Sequence, residues 1–421
     1  MRLRTFCGLF APFICFSLST PVFGAGIWLY EKGTPEVGTA HAGAGSRAGD
    51  ASTAMLNPAG MTRLEKPQLM ATLQPTILDI QFEPDSQTTI TGSSGDASDF
   101  IPAGGFFYVH PIGEKWRLGF SLASYFGLGA EYEDDWVGRY YIQESNFLTV
   151  SATPSLAYKV NEWLSIGGGV GATFASFDSR AAVRNLLRSD GQLKFEDTDT
   201  GIGGLISVLI EPKKGTRFGL GYTTPVKLEF EDTIEFTGLS NFTQAFLKAL
   251  GLLDAEVGVE ITIPQTVMFS FFHEFNDTWA IMGNIGWQDW SEFGQVPVSI
   301  RSTTSATVTQ DRNFDDTWHF ALGAHYRFHP RWRVTAGISH DTSPVSDEYR
   351  TPDLPLDRTW RYSGGLIHEF GEKATLGLAY TFLDAGDGAI NQTQGPLSGI
   401  LSGKYSSNYV HIIAINLNYT F

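Results

Sequence analysis

The chain has two cysteines in 421 residues, and both, Cys7 and Cys15, fall in its first segment. Neither is followed by the small-residue context of a lipoprotein, and everything beyond that segment lacks thiols. A disulfide framework and any cysteine metal site are thereby excluded. Long apolar runs are equally scarce. The run from Phe6 to Leu18 covers 13 residues and contains Pro12, short of the roughly 20 that a spanning helix needs. With Arg2 and Arg4 ahead of it and Pro21-Val22-Phe23-Gly24 behind it, residues 1–24 read as a secretory signal cleaved after Gly24. No later stretch approaches the roughly 18 continuous apolar residues that mark a transmembrane helix. Positive charge is short as well. Against 45 Asp and Glu stand 29 Lys and Arg, a net charge of −16, which makes the chain a poor partner for nucleic acid.

What is present in quantity is glycine, 46 residues, and aromatics, 13%, at a mean hydropathy near zero. Such a chain can cross a bilayer only as a closed barrel, because lipid satisfies no open sheet edge. Six short polar turns punctuate it, at His110-Pro111-Ile112-Gly113-Glu114-Lys115, Asn161-Glu162, Glu211-Pro212-Lys213-Lys214-Gly215, Asn276-Asp277, His329-Pro330-Arg331 and Gly371-Glu372-Lys373. Trp116, Trp163, Phe218, Trp279, Trp332 and Leu376 follow them closely and restart an alternating pattern. Between the turns lie longer polar segments, about 84–100, 131–145, 179–199, 237–258, 301–312, 343–357 and 385–405. Short turns on one side and long loops on the other are the pattern of outer-membrane barrels. Six turns and seven loops give fourteen strands. The expected fold is all-β: a fourteen-stranded antiparallel transmembrane β-barrel over residues 65–421, in a Gram-negative outer membrane, with both termini periplasmic.

The alternation has period two. Trp318, Phe320, Leu322, Ala324, Tyr326 and Phe328 face one way, and His319, Ala321, Gly323, His325 and Arg327 the other. In the last strand Tyr409, Ile413, Ile415, Leu417, Tyr419 and Phe421 share one face, with Val410, Ala414, Asn416, Asn418 and Thr420 opposite. Aromatics at both ends of an apolar face suit the two interfacial girdles. A terminal aromatic, Phe421, suits recognition by the barrel-assembly machinery.

Residues 25–64 do not read as a strand. Between Gly38 and Gly60, 12 of 23 residues are Gly or Ala. Such a segment is either a flexible periplasmic tail or a plug, since small residues let backbone pack on backbone inside a lumen. Asn57-Pro58-Ala59 would form a tight turn in it, with Pro58 biasing Asn57 toward an extended conformation.

The runs Gly26-Ile27-Trp28-Leu29-Tyr30-Glu31-Lys32-Gly33, Gly38-Thr39-Ala40-His41-Ala42-Gly43, Asp50-Ala51-Ser52-Thr53-Ala54 and Asn57-Pro58-Ala59-Gly60-Met61 resemble the N-terminal hatch of the FadL family (OMPP1/FadL/TodX). A second match to the same family is Asp341-Thr342-Ser343-Pro344-Val345, with Pro352-Asp353, Asp357-Arg358 and Trp360 after it, and a third is Trp287-Gln288-Asp289-Trp290-Ser291-Glu292-Phe293. The resemblance runs to the C-terminus. It implies a fourteen-stranded barrel with a lumenal hatch (25–64), and passive uptake of long-chain fatty acids or of neutral aromatic hydrocarbons. Capture at external loops, binding in the lumen, and hatch movement or lateral exit at a kinked third strand would follow.

From Asn241 the sequence places Phe242, Ala245, Phe246, Ala249, Leu250 and Leu253 at helical spacing, with Asn241 and Gln244 resembling a capping box and Gly251 suiting the end. An apolar helical face in an external loop is expected to be covered. The resemblance makes it a ligand groove, formed by Phe242, Phe246, Leu250 and Leu253 with Phe126, Leu128 and Trp136 of the second loop, where Tyr140 and Tyr141 also lie. Gly127 and Gly129 are the expected kink, with Gly119 as the alternative, because glycine inside a strand often marks a bend. Arg327 and His325 are candidate lumenal contacts for an acid headgroup, and Arg180, Arg184 and Arg188 flank the third loop. Family members that handle fatty acids carry a lysine near the position of Asp315, which leaves the headgroup open between an acid and a neutral ligand.

An outer-membrane lipid-modifying enzyme or a structural barrel are the other classes. His340-Asp341 and His273-Glu274 are adjacent pairs whose members point to opposite faces of a strand, so neither forms a local dyad. His319 and His325 lie roughly 20 Å apart along one strand, too far for one metal. No serine sits in a glycine-bracketed nucleophile turn. The chain is read as a monomeric non-enzyme without cofactor or metal, in contact with outer-membrane lipid and lipopolysaccharide.

Overall fold

The computed structural model describes residues 30–124, 126–185, 188–301, 305–393 and 398–421. The expected signal segment, the first hatch residues 25–29 and the side chain of Leu128 lie outside the described residues. Fourteen strands follow in order: β1 (Gln68–Pro84), β2 (Phe100–Ile112), β3 (Trp116–Ala123, resuming at Gly127–Glu131), β4 (Glu144–Lys159), β5 (Leu164–Val183), β6 (Gly191–Lys213), β7 (Thr216–Thr223, then Val226–Thr233), β8 (Glu256–Ile263, then Thr266–Glu274), β9 (Trp279–Gln288, then Gln295–Arg301), β10 (Ser305–Asp311, then Thr317–His329), β11 (Trp332–Asp341), β12 (Thr359–Phe370), β13 (Ala374–Asp384) and β14 (Ile400–Thr420). Each pairs antiparallel with the next, and β1 pairs with β14 from Gln68↔Thr420 onward, closing the barrel. All six short turns fall where the sequence places them.

Burial is inverted relative to a soluble protein. Leu73, Val170, Phe174, Ile202, Ile206 and Leu322 are exposed on the outer wall, whereas Thr153, Thr173, Ser207, Asn284, Gln288, Thr381 and Asn416 are buried inside. An apolar band facing lipid around a polar interior is what a membrane barrel requires. Trp116 on Tyr158 and Trp279 on Tyr326 belong to the lower aromatic girdle, and Trp360 on His340 to the upper.

Several strands outrun the bilayer. The acidic stretch 196–200, expected in a loop, pairs with β5 through Asp197↔Phe177 and Asp199↔Ala175. Beyond the lipid, outward positions meet water, so polar residues continue a strand that composition alone ends. Above Pro225 and Pro264, which have no N–H for a ladder, the outer segments of β7, β8, β9 and β10 form a separate four-stranded sheet. Val226, Leu228, Phe230, Val257, Val259 and Ile261 on its inner face are buried. Its outer face carries Arg301 between Glu231 and Glu256, each at 2.8 Å.

The N-terminal segment sits inside the barrel. It forms short helical turns at Pro35–Thr39, Thr53–Leu56 and Pro58–Arg63, and most of its residues from Tyr30 to Leu64 are buried. A segment with so little secondary structure must find partners for its backbone elsewhere, and inward side chains supply them. Asn284 Oδ1 accepts from Gly43 N at 3.0 Å while its Nδ2 donates to the His41 carbonyl at 2.7 Å. Ser270 Oγ accepts from Gly45 N, and Thr381 Oγ1 donates to the Val37 carbonyl. Close approach needs glycine on the wall as well: a Cβ at Gly219 would run into the Gly45 carbonyl, and one at Gly337 into that of Thr39.

Candidate functional site

Asn57-Pro58-Ala59 lies against β5 to β7. Asn57 is extended (φ −164°), and its Nδ2 donates to the carbonyls of Gly45 (2.5 Å) and Val208 (3.2 Å). Ala59 N donates to Ser207 Oγ at 3.1 Å. Pro58 opens the turn of helix that follows, a position where the missing N–H costs nothing.

The head of the hatch is clamped by charge. Arg361 on β12 reaches Glu31 at 2.8 Å and also pairs with Asp341 on β11. Asp341 accepts from the Tyr30 hydroxyl at 3.2 Å and from Thr359 Oγ1 at 2.9 Å, and it sits 2.8 Å from His319 Nδ1. Gln288 donates to the Tyr30 hydroxyl, and the Tyr30 ring stacks on His319 at 4.1 Å. A second knot lies within the hatch, where Arg47 joins Glu36 and Asp50. His319 thus does meet an acid, but across the β10–β11 ladder (His319↔Asp341) rather than along one strand. Cross-strand register carries that pairing, and nothing local signals it. Glu31 and Lys32 stood out in the sequence only as members of the hatch-like run from Gly26 to Gly33.

Above the hatch the lumen is apolar. Phe126, fully buried, packs on Phe147 (5.9 Å), Trp290 (6.0 Å) and Phe293 (5.3 Å). Phe230 and Phe177 continue the cluster. A cavity of about 50 Å³ lined by Ile80, Trp290, Leu356, Leu383 and Val410 reaches down to Tyr30. A larger one, about 110 Å³, lies between the hatch and β4 to β8.

Trp136 stacks on Tyr132 at 4.0 Å and meets Phe82 edge-on, and Tyr141 ties the second loop to the seventh through the Gln392 and Gly399 carbonyls. The loop helix is Asn241–Ala249, and its cap is Ser240, not Asn241: Ser240 Oγ accepts from Thr243 N. The expected burial of its apolar face is corrected too. Thr243 and Leu247 are the buried positions, Phe242 and Phe246 are exposed and stacked on each other, and Leu250 and Leu253 are half-buried. The helix rests beside Asn185 of the third loop, so the hydrogen-bonded neighbour decides which face turns inward. Among the described residues no ring contact joins Phe242 or Phe246 to Phe126 or Trp136.

The third strand is interrupted after Ala123. Ala123 pairs with Ser151, but Gly127 pairs with Leu148, one residue more on β3 than on β4. Phe126 turns inward at the break, Gly127 takes φ +152°, and Gly129 lies within the resumed strand. On its other side, among the described residues, the β2–β3 ladder runs from Gly105↔Ala123 to Ile112↔Trp116, and none joins Phe100–Gly104 to Gly127–Glu131. Gly119 stays within the regular ladder, opposite Ser155.

His325 and Arg327 face the periplasmic mouth, below the hatch. His325 is buried against Phe272, and Arg327 pairs with Glu369 at 3.1 Å. Together with Arg333 they line a vestibule of about 780 Å³. Asp315, at the other end of the barrel, is exposed and its N–H donates to the Pro344 carbonyl.

Residues 15–421 match the family model described as outer membrane protein transport protein (OMPP1/FadL/TodX). A long-chain fatty acid transport protein of Escherichia coli O6:H1 is 25% identical over 436 residues, covering 96% of each chain. A FadL homologue of Pseudomonas aeruginosa has a similar structure, with a TM-score of 0.83 at 20% identity over 94% of this chain and 100% of that one. The toluene transporter TodX of P. putida reaches a TM-score of 0.67 at 16% identity over 91% and 99%.

Proposed function

The chain belongs to the OMPP1/FadL/TodX family of outer membrane transport proteins, and on that premise we propose that it takes up long-chain fatty acids passively. The observation that carries this reading is the apolar Phe126–Phe147–Trp290–Phe293 cluster inside a polar-walled barrel, with Trp290 also lining a cavity that reaches the hatch at Tyr30. Burial along it supplies the driving force, at about 25 cal/mol per Å² of apolar surface removed from water. Phe242 and Phe246, exposed on the loop helix, make first contact, with Leu250 and Leu253 behind them. The interrupted pairing of β3 beside Gly127 supports sideways exit into the membrane. Asn57-Pro58-Ala59 gates the hatch, and His325 and Arg327 meet an acid that leaves by the periplasmic mouth. The protein works as a monomer among outer-membrane lipid and lipopolysaccharide, after insertion by the barrel-assembly machinery.

A second reading, a neutral aromatic hydrocarbon as ligand, is favoured by one observation. The buried upper-lumen cations already hold acids: Arg312 with Asp353 at 2.9 Å, Arg350 with Asp347 and Asp357, and Arg361 with Glu31 and Asp341. Titrating the purified chain with a long-chain fatty acid and with toluene, side by side at micromolar concentration, separates the two. Binding of neither overturns the transport reading. Deleting Asn57-Pro58-Ala59 is expected to alter uptake while the barrel still assembles, and unchanged uptake would remove the gating role.

A further inference from the structure

The hatch does more than block the lumen, because it carries polar side chains into a cavity. Lys32 and His41 both line the space between the hatch and β4 to β8, and they are only 6% and 8% exposed. Neither residue is there by accident of a loose chain. The Lys32 carbonyl accepts from Thr72 Oγ1 at 2.8 Å, Gly33 N donates to Gln74 Oε1 at 2.5 Å, and Asn416 Nδ2 donates to the Gly33 carbonyl at 3.1 Å. β1 and β14 therefore fix the backbone from which the lysine side chain springs.

His41 is held in the left-handed region, at φ +68°. That conformation is uncommon for a residue with a Cβ, and such strain persists only where the surroundings over-determine it. Here they do: His41 N donates to the Glu36 carbonyl at 2.9 Å, and the His41 carbonyl accepts from Asn284. The imidazole nitrogen Nδ1 is buried and has no hydrogen-bond partner, a costly state for a polar atom inside a protein. Burial, with Lys32 nearby, pushes the imidazole well below its ordinary range, so it is neutral.

The opposite wall of the cavity has the other half of a binding site. Ser151, Thr153 and Thr173 present hydroxyls, while Gly221 leaves open space where a side chain would stand. Met55, Leu56 and Met268 make the remainder apolar. An engineered cavity of roughly 150 Å³ holds a benzene-sized solute, so about 110 Å³ accommodates a headgroup with the first carbons of a chain.

Resting on the fatty-acid reading above, we infer that this cavity binds the carboxylate end of an apolar acid, with Lys32 as its counter-ion and His41 Nδ1–H as a hydrogen-bond donor. A carboxylate there completes the His41 nitrogen and places an anion against a buried ammonium, the pairing that gains most from a dry site. Because both donors belong to the hatch, the acid bonds to the element that must move. A neutral hydrocarbon makes neither bond.

Decanoate and decanol, equal in chain length, separate headgroup from tail when titrated calorimetrically into the full-length purified chain below pH 8. Lys32→Met is expected to weaken decanoate binding by about ten- to hundredfold, the usual worth of a charge-assisted hydrogen bond, and to leave decanol unchanged. Lys32→Arg restores decanoate in part, and His41→Asn, which tolerates the left-handed backbone, weakens decanoate alone by a smaller factor. Acetate, lacking a tail, binds far more weakly than decanoate. Equal decanoate affinity in the parent and Lys32→Met, with both folded by circular dichroism, overturns this site while leaving the transport reading intact. Acetate binding as tightly as decanoate also overturns it, and a parent chain that binds neither decanoate nor decanol overturns both readings.

Discussion

Arg361 on β12 and Glu31 at the head of the hatch form an ion pair at 2.8 Å in which the two side chains are only 4% and 5% exposed. The pair ties a segment with little regular secondary structure to a strand of the barrel wall that is laddered on both sides. Asp341 on β11 and Tyr30 of the hatch join it, so the barrel end of the clamp is drawn from two adjacent strands.

Removing one partner of a buried pair commonly costs about 3–5 kcal/mol, because the other charge stays buried. Asp341 remains beside Arg361 and lowers that cost. Glu31→Gln is therefore expected to loosen the hatch without unfolding the barrel. Amide exchange over residues 30–50 should accelerate while β11 to β13 keep their protection. Equal protection in both proteins would mean that the hatch is held elsewhere.

Gly219 tests whether the close approach of hatch and wall matters. A side chain there strikes the Gly45 carbonyl, and overpacking of this kind costs about 1–3 kcal/mol. Gly219→Val should displace the hatch, lower the melting temperature and admit small polar solutes to liposomes carrying the protein. Gly221→Ala is the control, since its Cβ meets nothing within 4 Å.

Phe126 and Phe242 differ in what surrounds them. Phe126 is fully buried and Phe242 is 65% exposed. Phe126→Ala should cost roughly 3–5 kcal/mol of stability, as large aromatic truncations do. Phe242→Ala should stay within about 0.5 kcal/mol of the parent and slow ligand capture instead. Equal capture rates would take Phe242 out of the entry path.

Burial pushes the Lys32 ammonium down to about 8, against the opposing pull of Glu31 and Glu36 on the hatch. His41, and His319, Asp341 and Arg361 from the wall, are the other titratable groups of that neighbourhood. The lysine is cationic below that value and neutral above it. Decanoate affinity should therefore hold between pH 6 and 7 and fall as pH rises past about 8, while decanol affinity stays level. Matching pH profiles for the two ligands would exclude Lys32 from headgroup binding.

Local pattern accounts for much of what the sequence made legible. Strand 318–328 declared its lipid face through Trp318, Phe320 and Leu322 because side chains alternate with period two. The turns at Asn161 and Asn276 declared themselves through residues whose side chains cap their own backbone: Asn161 Oδ1 accepts from Trp163 N and Asn276 Oδ1 from Trp279 N. The loop helix was legible in its span and in its end at Gly251, but not in its buried face. Periodicity finds an amphipathic helix, whereas only its neighbour, here Asn185, selects the side that is covered.

By itself the sequence determined the number of strands, their lipid-facing residues and the small-residue character of the hatch, since each follows from interactions between residues near one another in the chain. Tertiary structure alone decided that His319 meets Asp341, that Arg361 holds Glu31, and that Lys32 and His41 share a cavity. Those contacts join residues up to 330 positions apart, and they exist only once closure of the barrel has set the register of every strand.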